Sequence, residues 1–288
     1  MEQAVRLLLA AAALISVLIT VGIVITLLSE GRPFFEHVSL REFLTGTTWQ
    51  PVSDQFGIWP LLWASLYIAL MAAAVAVPLG LGSAIYLSEY APERLRKTVK
   101  PILELLAGMP TIVLGFFALD AVTPALQDIG LIAEGQLFNG LAAGFVVGVL
   151  ITPLISSLAE DAMRAVPVSM RDAAYGVGAT RRQVATQVVF PAALSGIMAG
   201  IVLGLSRAVG ETMAVTLAAG TLPNLTLDPR EPMQTITAYI VQISQGEATR
   251  GSIQYESIFA VGIVLFVTTL AINLVALRIV RRYRTVYQ

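Results

Sequence analysis

Val166-Pro-Val-Ser-Met-Arg-Asp172-Ala-Ala-Tyr-Gly-Val-Gly178-Ala-Thr-Arg-Arg-Gln-Val-Ala-Thr-Gln-Val188-Val-Phe190-Pro191 is a polar interruption between two apolar runs. The connection that contains it, Glu160 to Phe190, is far longer than neighbouring helices need for a turn. Its first part reads as a short helix. Pro167 stands near the start, Ser169 is placed to cap it, Asp172 follows three residues later, and Gly176 and Gly178 end it. A second short helix is expected from Thr180, and Pro191 is expected to open the next apolar run. Two short helices with a glycine break form a stiff knob, an order of caps that a plain solvated loop would not need.

The chain around this knob is too apolar for water. Of its 288 residues 56 % are hydrophobic and 13 % charged, about half the charge of a soluble domain. Its mean hydropathy is +0.78. These values exclude a soluble enzyme and a disordered tail, and no basic face is present for nucleic acid. The absence of cysteine excludes disulfides, thiol catalysis and thiolate metal sites. With one histidine, His37, a histidine metal site is not expected either.

A bilayer core takes about 20 apolar residues of helix. Six such runs are expected: Leu7–Leu28, Leu61–Leu87, Val99–Leu119, Phe138–Ala159, Pro191–Gly220 and Ser257–Leu277. The first carries no charge and is too long for a signal peptide, so it is expected to be retained. With the N-terminus inside, thirteen Lys and Arg fall on the inner loops and four on the outer ones, with Arg207 inside the fifth run. Eleven of the nineteen acids fall on the outer loops, so the net charge of −1 is a sum of two opposed faces. This asymmetry puts both termini in the cytoplasm.

Two runs carry glycines four residues apart, Gly140, Gly144 and Gly148 in the fourth and Gly196, Gly200 and Gly204 in the fifth. Such stripes let helices approach closely, either within the chain or against a second membrane subunit. Arg207 and Glu211 stand four apart in the fifth run, on one face of a continuous helix. A charge at mid-membrane costs at least ~2.5–3.5 kcal/mol, so the pair must face a bundle interior or a wet cavity. Two readings stand: an ion pair that fixes helix packing, or an anion site in which Arg207 meets the substrate and Glu211 holds it when empty. A guanidinium fork matches two oxygens of a tetrahedral oxyanion. In the third run Pro110, after Gly108, removes a backbone hydrogen bond, and bent helices often line a substrate path. A plain proline kink is the alternative. Met233–Ser244 reads as a surface amphipathic helix.

The order Asp/Glu-Ala-Ala, three residues, Gly, nine residues, Ile/Val, one residue, Leu/Phe-Pro resembles the EAA loop of ABC importer permeases. Here it is Asp172-Ala173-Ala174, Gly178, Val188 and Phe190-Pro191, with every spacing met. Asp stands for the usual Glu, Val for Ile and Phe for Leu. The run Arg207-Ala-Val-Gly-Glu-Thr-Met-Ala-Val215 and the loop Phe43-Leu-Thr-Gly-Thr-Thr-Trp49-Gln-Pro51 are similar to phosphate permeases of the PstC type. Sulfate and molybdate permeases share Arg…Gly-Glu here but differ in the residues that follow.

The resemblance implies an all-α integral membrane protein, six transmembrane helices in the MetI-like permease fold. Residues 1–57 would form the N-terminal helix and outer loop, 58–277 a five-helix core with the coupling loop 160–190, and 278–288 a basic cytoplasmic tail. It implies ATPase coupling through Asp172, Ala173, Ala174, Gly178 and Pro191, and a substrate path at Arg207, Glu211, Pro110 and Thr111. It further implies a PstA-like second permease, two PstB-like ATPases and a PstS-like periplasmic phosphate-binding protein at a bacterial inner membrane. ATP with magnesium would sit on the ATPases; no catalytic residue, metal or cofactor is expected in this chain. In agreement, neither Lys97 nor Lys100 follows a glycine, so a Walker A loop is missing. The rival readings are a permease for sulfate, molybdate or phosphonate, and an ion channel, which has no use for an ATPase-docking loop.

Overall fold

The computed structural model describes residues 2–246 and 248–284. Helix α1 (Glu2–His37) is followed by the short α2 (Leu40–Thr45) and a hairpin of β1 (Trp49–Gln50) and β2 (Gln55–Phe56). Then α3 (Trp59–Ile85) ends in a π-helical turn, Tyr86–Tyr90. Next are α4 (Glu93–Ala107) and α5 (Thr111–Phe117), which passes through a π-helical turn at Ala118–Val122 into α6 (Thr123–Asp128). Helix α7 (Gly140–Arg164) leads to α8 (Val168–Gly176), and α9 (Arg181–Gln183) runs through π-helical Val184–Val189 into α10 (Phe190–Val209). The last three are α11 (Met213–Ala219), α12 (Ile236–Gln245) and α13 (Ile253–Arg284). Among the described residues, five helices are long and apolar enough to cross a bilayer by themselves, and α4 with α5–α6 forms a sixth candidate bent by 88°.

The glycine stripes pack within the chain. Gly144 faces Met71, and Gly148 faces Val75 and the Ala72 carbonyl, which seats α7 on α3. Gly196, Gly200 and Gly204 face Ala162, Leu158 and Ile155, which seats α10 on α7. Leu27 and Gly31 of α1 meet Gly262 and Ile263 of α13, and α1 is exposed from Val5 to Ile23. Asn139 starts α7 by accepting the Ala142 N–H at 2.7 Å.

The third run departs from expectation. It is not a straight span over Val99–Leu119; α4 carries Glu93, Arg94, Arg96, Lys97, Lys100 and Glu104 and is sharply amphipathic. Proline at 110 disfavours helix at Met109 and offers no N–H, so the chain stops at Gly108 and turns. Glu93–Ala107 and Thr111–Asp128 are together long and apolar enough for a crossing, as a bent pair. Lys100 fastens α4 to the end of α7, bonding the Glu160 carboxylate at 2.6 Å and also Asp161.

The fifth run departs at both ends. Its helix starts at Arg181, where Thr180 and Gln183 form a reciprocal cap, and Pro191 lies inside it instead of opening it. The π-helical turn just before Pro191 absorbs the missing N–H and the ring. At the other end the helix closes at Val209, and Gly210-Glu211-Thr212 separate it from α11. Ser169 is not the cap of α8, because Pro167 holds that position and Ser169 falls in the first turn.

Among the described residues the fold is all-α apart from the hairpin, whose two-residue strands are too short for an alternating pattern. Trp49 and Phe56 join Phe34, Phe43 and Tyr239 in a buried aromatic cluster with edge-to-face contacts of 4.9–6.4 Å. Helix α12 is not a surface helix, since Ile236, Thr237, Ala238 and Tyr239 are buried and the Ser65 hydroxyl accepts its first N–H. The segment before it folds over the start of α3, with Trp63 and Tyr67 donating to the carbonyls of Thr226 and Leu227. There the hydrogen-bonded Arg230 guanidinium holds the Asp228 carboxyl down to about 2, so the pair stays ionised at neutral pH.

A Cβ at Gly204 would sit 2.8 Å from Ile155 Cγ1, whereas one at Gly22 meets nothing within 4 Å. Overpacking costs about 1–3 kcal/mol. Gly204→Leu is therefore expected to lower the melting temperature of the detergent-purified chain by several degrees, and Gly22→Leu to leave it within error.

Candidate functional site

Two sets of residues expected to be functional occupy different parts of the molecule. The first is the knob. On α8 the side chains of Asp172 and Ala173 are exposed, while Ala174 is half-buried against the cluster formed by the ends of α3, α7 and α10. Val168, Tyr175 and Val177 are exposed apolar side chains on the same short segment, Val177 at 86 %. Gly178 has φ +86°, a conformation in which its N–H closes on Tyr175 O at 2.9 Å. A side chain there would be strained, yet the space beside it is open. Pro191 lies 13 residues further on inside the long helix, half-buried, and does not share the exposed surface of Asp172 and Gly178.

The second set surrounds the broken helices. Arg207 is exposed on the last turns of α10 and has no hydrogen bond or ion pair among the described residues. Glu211 was expected four residues along the same face, but α10 has ended by then. Its side chain is buried, its carboxylate accepts the Ala214 N–H at 3.4 Å, and its carbonyl accepts the Thr237 hydroxyl at 2.8 Å. Glu211 thus serves the start of α11 and the link to α12, and no Arg207–Glu211 ion pair forms. Glycine at 210 stops the helix and removes the spacing of four on which that pair depended.

Pro110 is exposed and Thr111 half-buried at the other break. Met109, beside them, packs on the buried cluster that includes Ala208, Val209 and Ala214. The helices that follow the two breaks lie together, with Gly115 of α5 against Leu217 and Ala214 of α11. Two interrupted helices that pack on each other leave backbone groups outside helical hydrogen bonding that a straight bundle would not have. Such irregular backbone is stable only where it is covered by protein or lines a wet cavity.

Polar groups missed in the sequence extend this region. The Ser206 hydroxyl, next to Arg207, donates to Asn273 Oδ1 of α13 at 2.8 Å, and Asn273 is exposed. With its oxygen occupied, the Asn273 amide keeps two N–H donors. Asp120 is exposed in the π-helical turn between α5 and α6. A lone Asn in an apolar run follows no pattern, and Asp120 lies just beyond the expected third run, Val99–Leu119. The described residues hold no cluster of side chains suited to a metal ion.

The chain matches the family model described as binding-protein-dependent transport system inner membrane component over residues 76–285. It is 35 % identical to the phosphate transport system permease protein PstC of Xylella fastidiosa (strain 9a5c), covering 94 % of this chain and 88 % of the relative. It is also 35 % identical to the probable ABC transporter permease protein YqgH of Bacillus subtilis, covering 91 % and 85 %. Among solved structures, a bacterial alginate ABC transporter chain superposes with a TM-score of 0.66 at 19 % identity, over 96 % of this chain and 95 % of that one. The inward-facing MetNI methionine ABC transporter gives 0.62 at 20 % identity, over 82 % and 99 %. The chain belongs to the binding-protein-dependent transport system inner membrane components and has the MetI-like ABC permease fold.

Proposed function

We propose that the chain is the PstC-type permease subunit of an ATP-driven importer that carries inorganic phosphate across a bacterial inner membrane by alternating access. The observation that carries the phosphate reading is the near full-length similarity to PstC permeases, and Arg207 supplies its chemistry. An unpaired guanidinium on a membrane-crossing helix is unstable against lipid and favourable against a hydrated path. Its planar fork gives two parallel hydrogen bonds to a tetrahedral oxyanion, and the neighbouring Asn273 amide adds neutral donors. Glu211 acts indirectly, holding the break that orients the last turn of α10; it is not the counter-ion of an empty site. Thr111 and Pro110 lie at the second break and complete the path.

A homologous PstA-like permease would supply the other wall of the path, and a PstS-like protein would deliver the anion from outside. Two PstB-like subunits would bind ATP with magnesium, and their closure would push on α8. Asp172, Ala173 and Gly178 fit that docking role because they are exposed together with Tyr175 and Val177. Pro191 fits a role as pivot of the long helix instead of a contact. The core of the domain is taken as 58–277. The basic tail 278–288 is taken as cytoplasmic; its last residues, 285–288, lie outside the described residues.

In the assembled transporter, Arg207→Gln is expected to reduce phosphate uptake into proteoliposomes at least ~100-fold, the loss of a charge-assisted contact of about 3 kcal/mol. Co-purification with the partner subunits should remain normal. Wild-type uptake, or loss only through failed assembly, would contradict an anion contact. Asp172→Lys, at an exposed position, is expected to leave the chain folded and to separate ATP hydrolysis from uptake. Unchanged uptake per ATP would contradict docking through α8. A cysteine placed at Gln288 should resist an impermeant thiol reagent applied to intact cells from outside; labelling there would reverse the orientation.

A further inference from the structure

The polar ties of the knob to the ends of α3 and α7 converge on Arg171 and Glu89. None of the side chains of α8 is buried, so apolar contact alone holds it weakly. Arg171, immediately before the exposed Asp172, points the other way. Its Nη2 donates to Glu89 Oε1 at 3.0 Å and to the Met163 carbonyl at 2.8 Å, and its Nη1 donates to the Val166 carbonyl at 2.5 Å. Glu89 is a buried carboxylate in the π-helical turn that ends α3, and the Ser88 hydroxyl also donates to it at 2.8 Å. From the far side of the glycine break, Arg181 Nε donates to the Glu89 carbonyl at 2.7 Å, and its guanidinium lies 5.1 Å from the Tyr90 ring centroid. One residue therefore receives an arginine from each of the two helices that flank Gly178.

We propose that Glu89 is the positioning residue that carries displacement of the coupling helix α8 into the transmembrane bundle, through Arg171 to α3 and through the same guanidinium to the end of α7. This rests on the reading that α8 docks the ATPase. The physical case is directional. Apolar contacts let a small helix slide, whereas charge-assisted hydrogen bonds between largely buried groups fix both distance and angle. The connection also lands on rigid elements. Helix α3 is locked to α7 by the close approaches at Gly144 and Gly148, and α7 to α10 by those at Gly200 and Gly204. A push on α8 thus reaches the helix that bears Arg207 without a flexible joint. Glu89 lies in the π-helical turn that ends α3, and from there its side chain and its carbonyl both accept bonds from the knob.

The test uses the complete transporter in proteoliposomes with its binding protein, and reads phosphate taken up per ATP hydrolysed. Glu89→Gln and Arg171→Ala are each expected to lower that ratio at least ~5-fold, with ATP hydrolysis largely kept and co-purification of the subunits unchanged. The double variant should be no worse than either single one. The chain has no cysteine, which permits a direct rescue. In Glu89→Cys with Arg171→Cys, a short thiol-to-thiol cross-linker should restore the ratio, because the two elements move as one body. An unchanged ratio in the single variants, additive losses in the double variant, or a cross-link that fails to restore uptake would each overturn the proposal. If Asp172→Lys also leaves the ratio unchanged, the docking reading itself has failed; if Asp172→Lys uncouples and the Glu89 variants do not, only the route through Glu89 is wrong.

Discussion

Lipid offers helices no hydrophobic reason to leave it for one another, so close backbone approach has to hold this bundle together. The seam running from α3 through α7 to α10 meets that demand with glycines facing Met71, Val75, Leu158 and Ile155. Everything functional hangs on the seam. It fixes α10 so that Arg207 faces outward from the subunit, and it fixes the ends of α3 and α7 so that Glu89 and the Met163 carbonyl meet Arg171. The polar groups that would be costly in a loose bundle become tolerable because their positions are set by packing that does not involve them.

Around that seam the molecule departs from a plain set of straight spans in two related places. Gly108-Met-Pro110 and Gly210-Glu-Thr212 break two helices, and the segments beyond them pack on each other. Breaks of this kind put backbone polarity and side chains such as Thr111 and Arg207 where an ion could use them. The two candidate functional regions, the exposed Arg207 and the knob, are joined by the continuous helix Arg181–Val209, with Arg181 at one end and Arg207 near the other.

Much of this was legible in the residues. The fixed spacing from Asp172 to Pro191, the Thr180 cap and the need for glycine at 178 are local, and local order survives folding. The glycine stripes showed which faces would pack, though not against what. The breaks were harder to read. Pro110 was visible, but whether it bends a span or ends one depends on α4, whose charges favour leaving the bilayer core. Gly210 gave no warning that Glu211 would leave the helix and cap α11. Contacts between distant positions were not legible at all. Glu89 meets Arg171 across 82 residues and Ser206 meets Asn273 across 67, and no periodicity in a single sequence encodes such pairs. The hairpin at Trp49 was hidden for the opposite reason, being too short to repeat.

The central claim is that the surface bearing Arg207 lines a wet path inside the membrane. Leu203 is exposed one turn away on the same face of α10. The chain lacks native cysteine, so a Leu203→Cys variant with Arg207 intact reports that surface alone. In the assembled transporter the account predicts labelling by a charged, membrane-impermeant thiol reagent at a rate that changes when ATP hydrolysis is trapped. Labelling only by a reagent that partitions into lipid would contradict it.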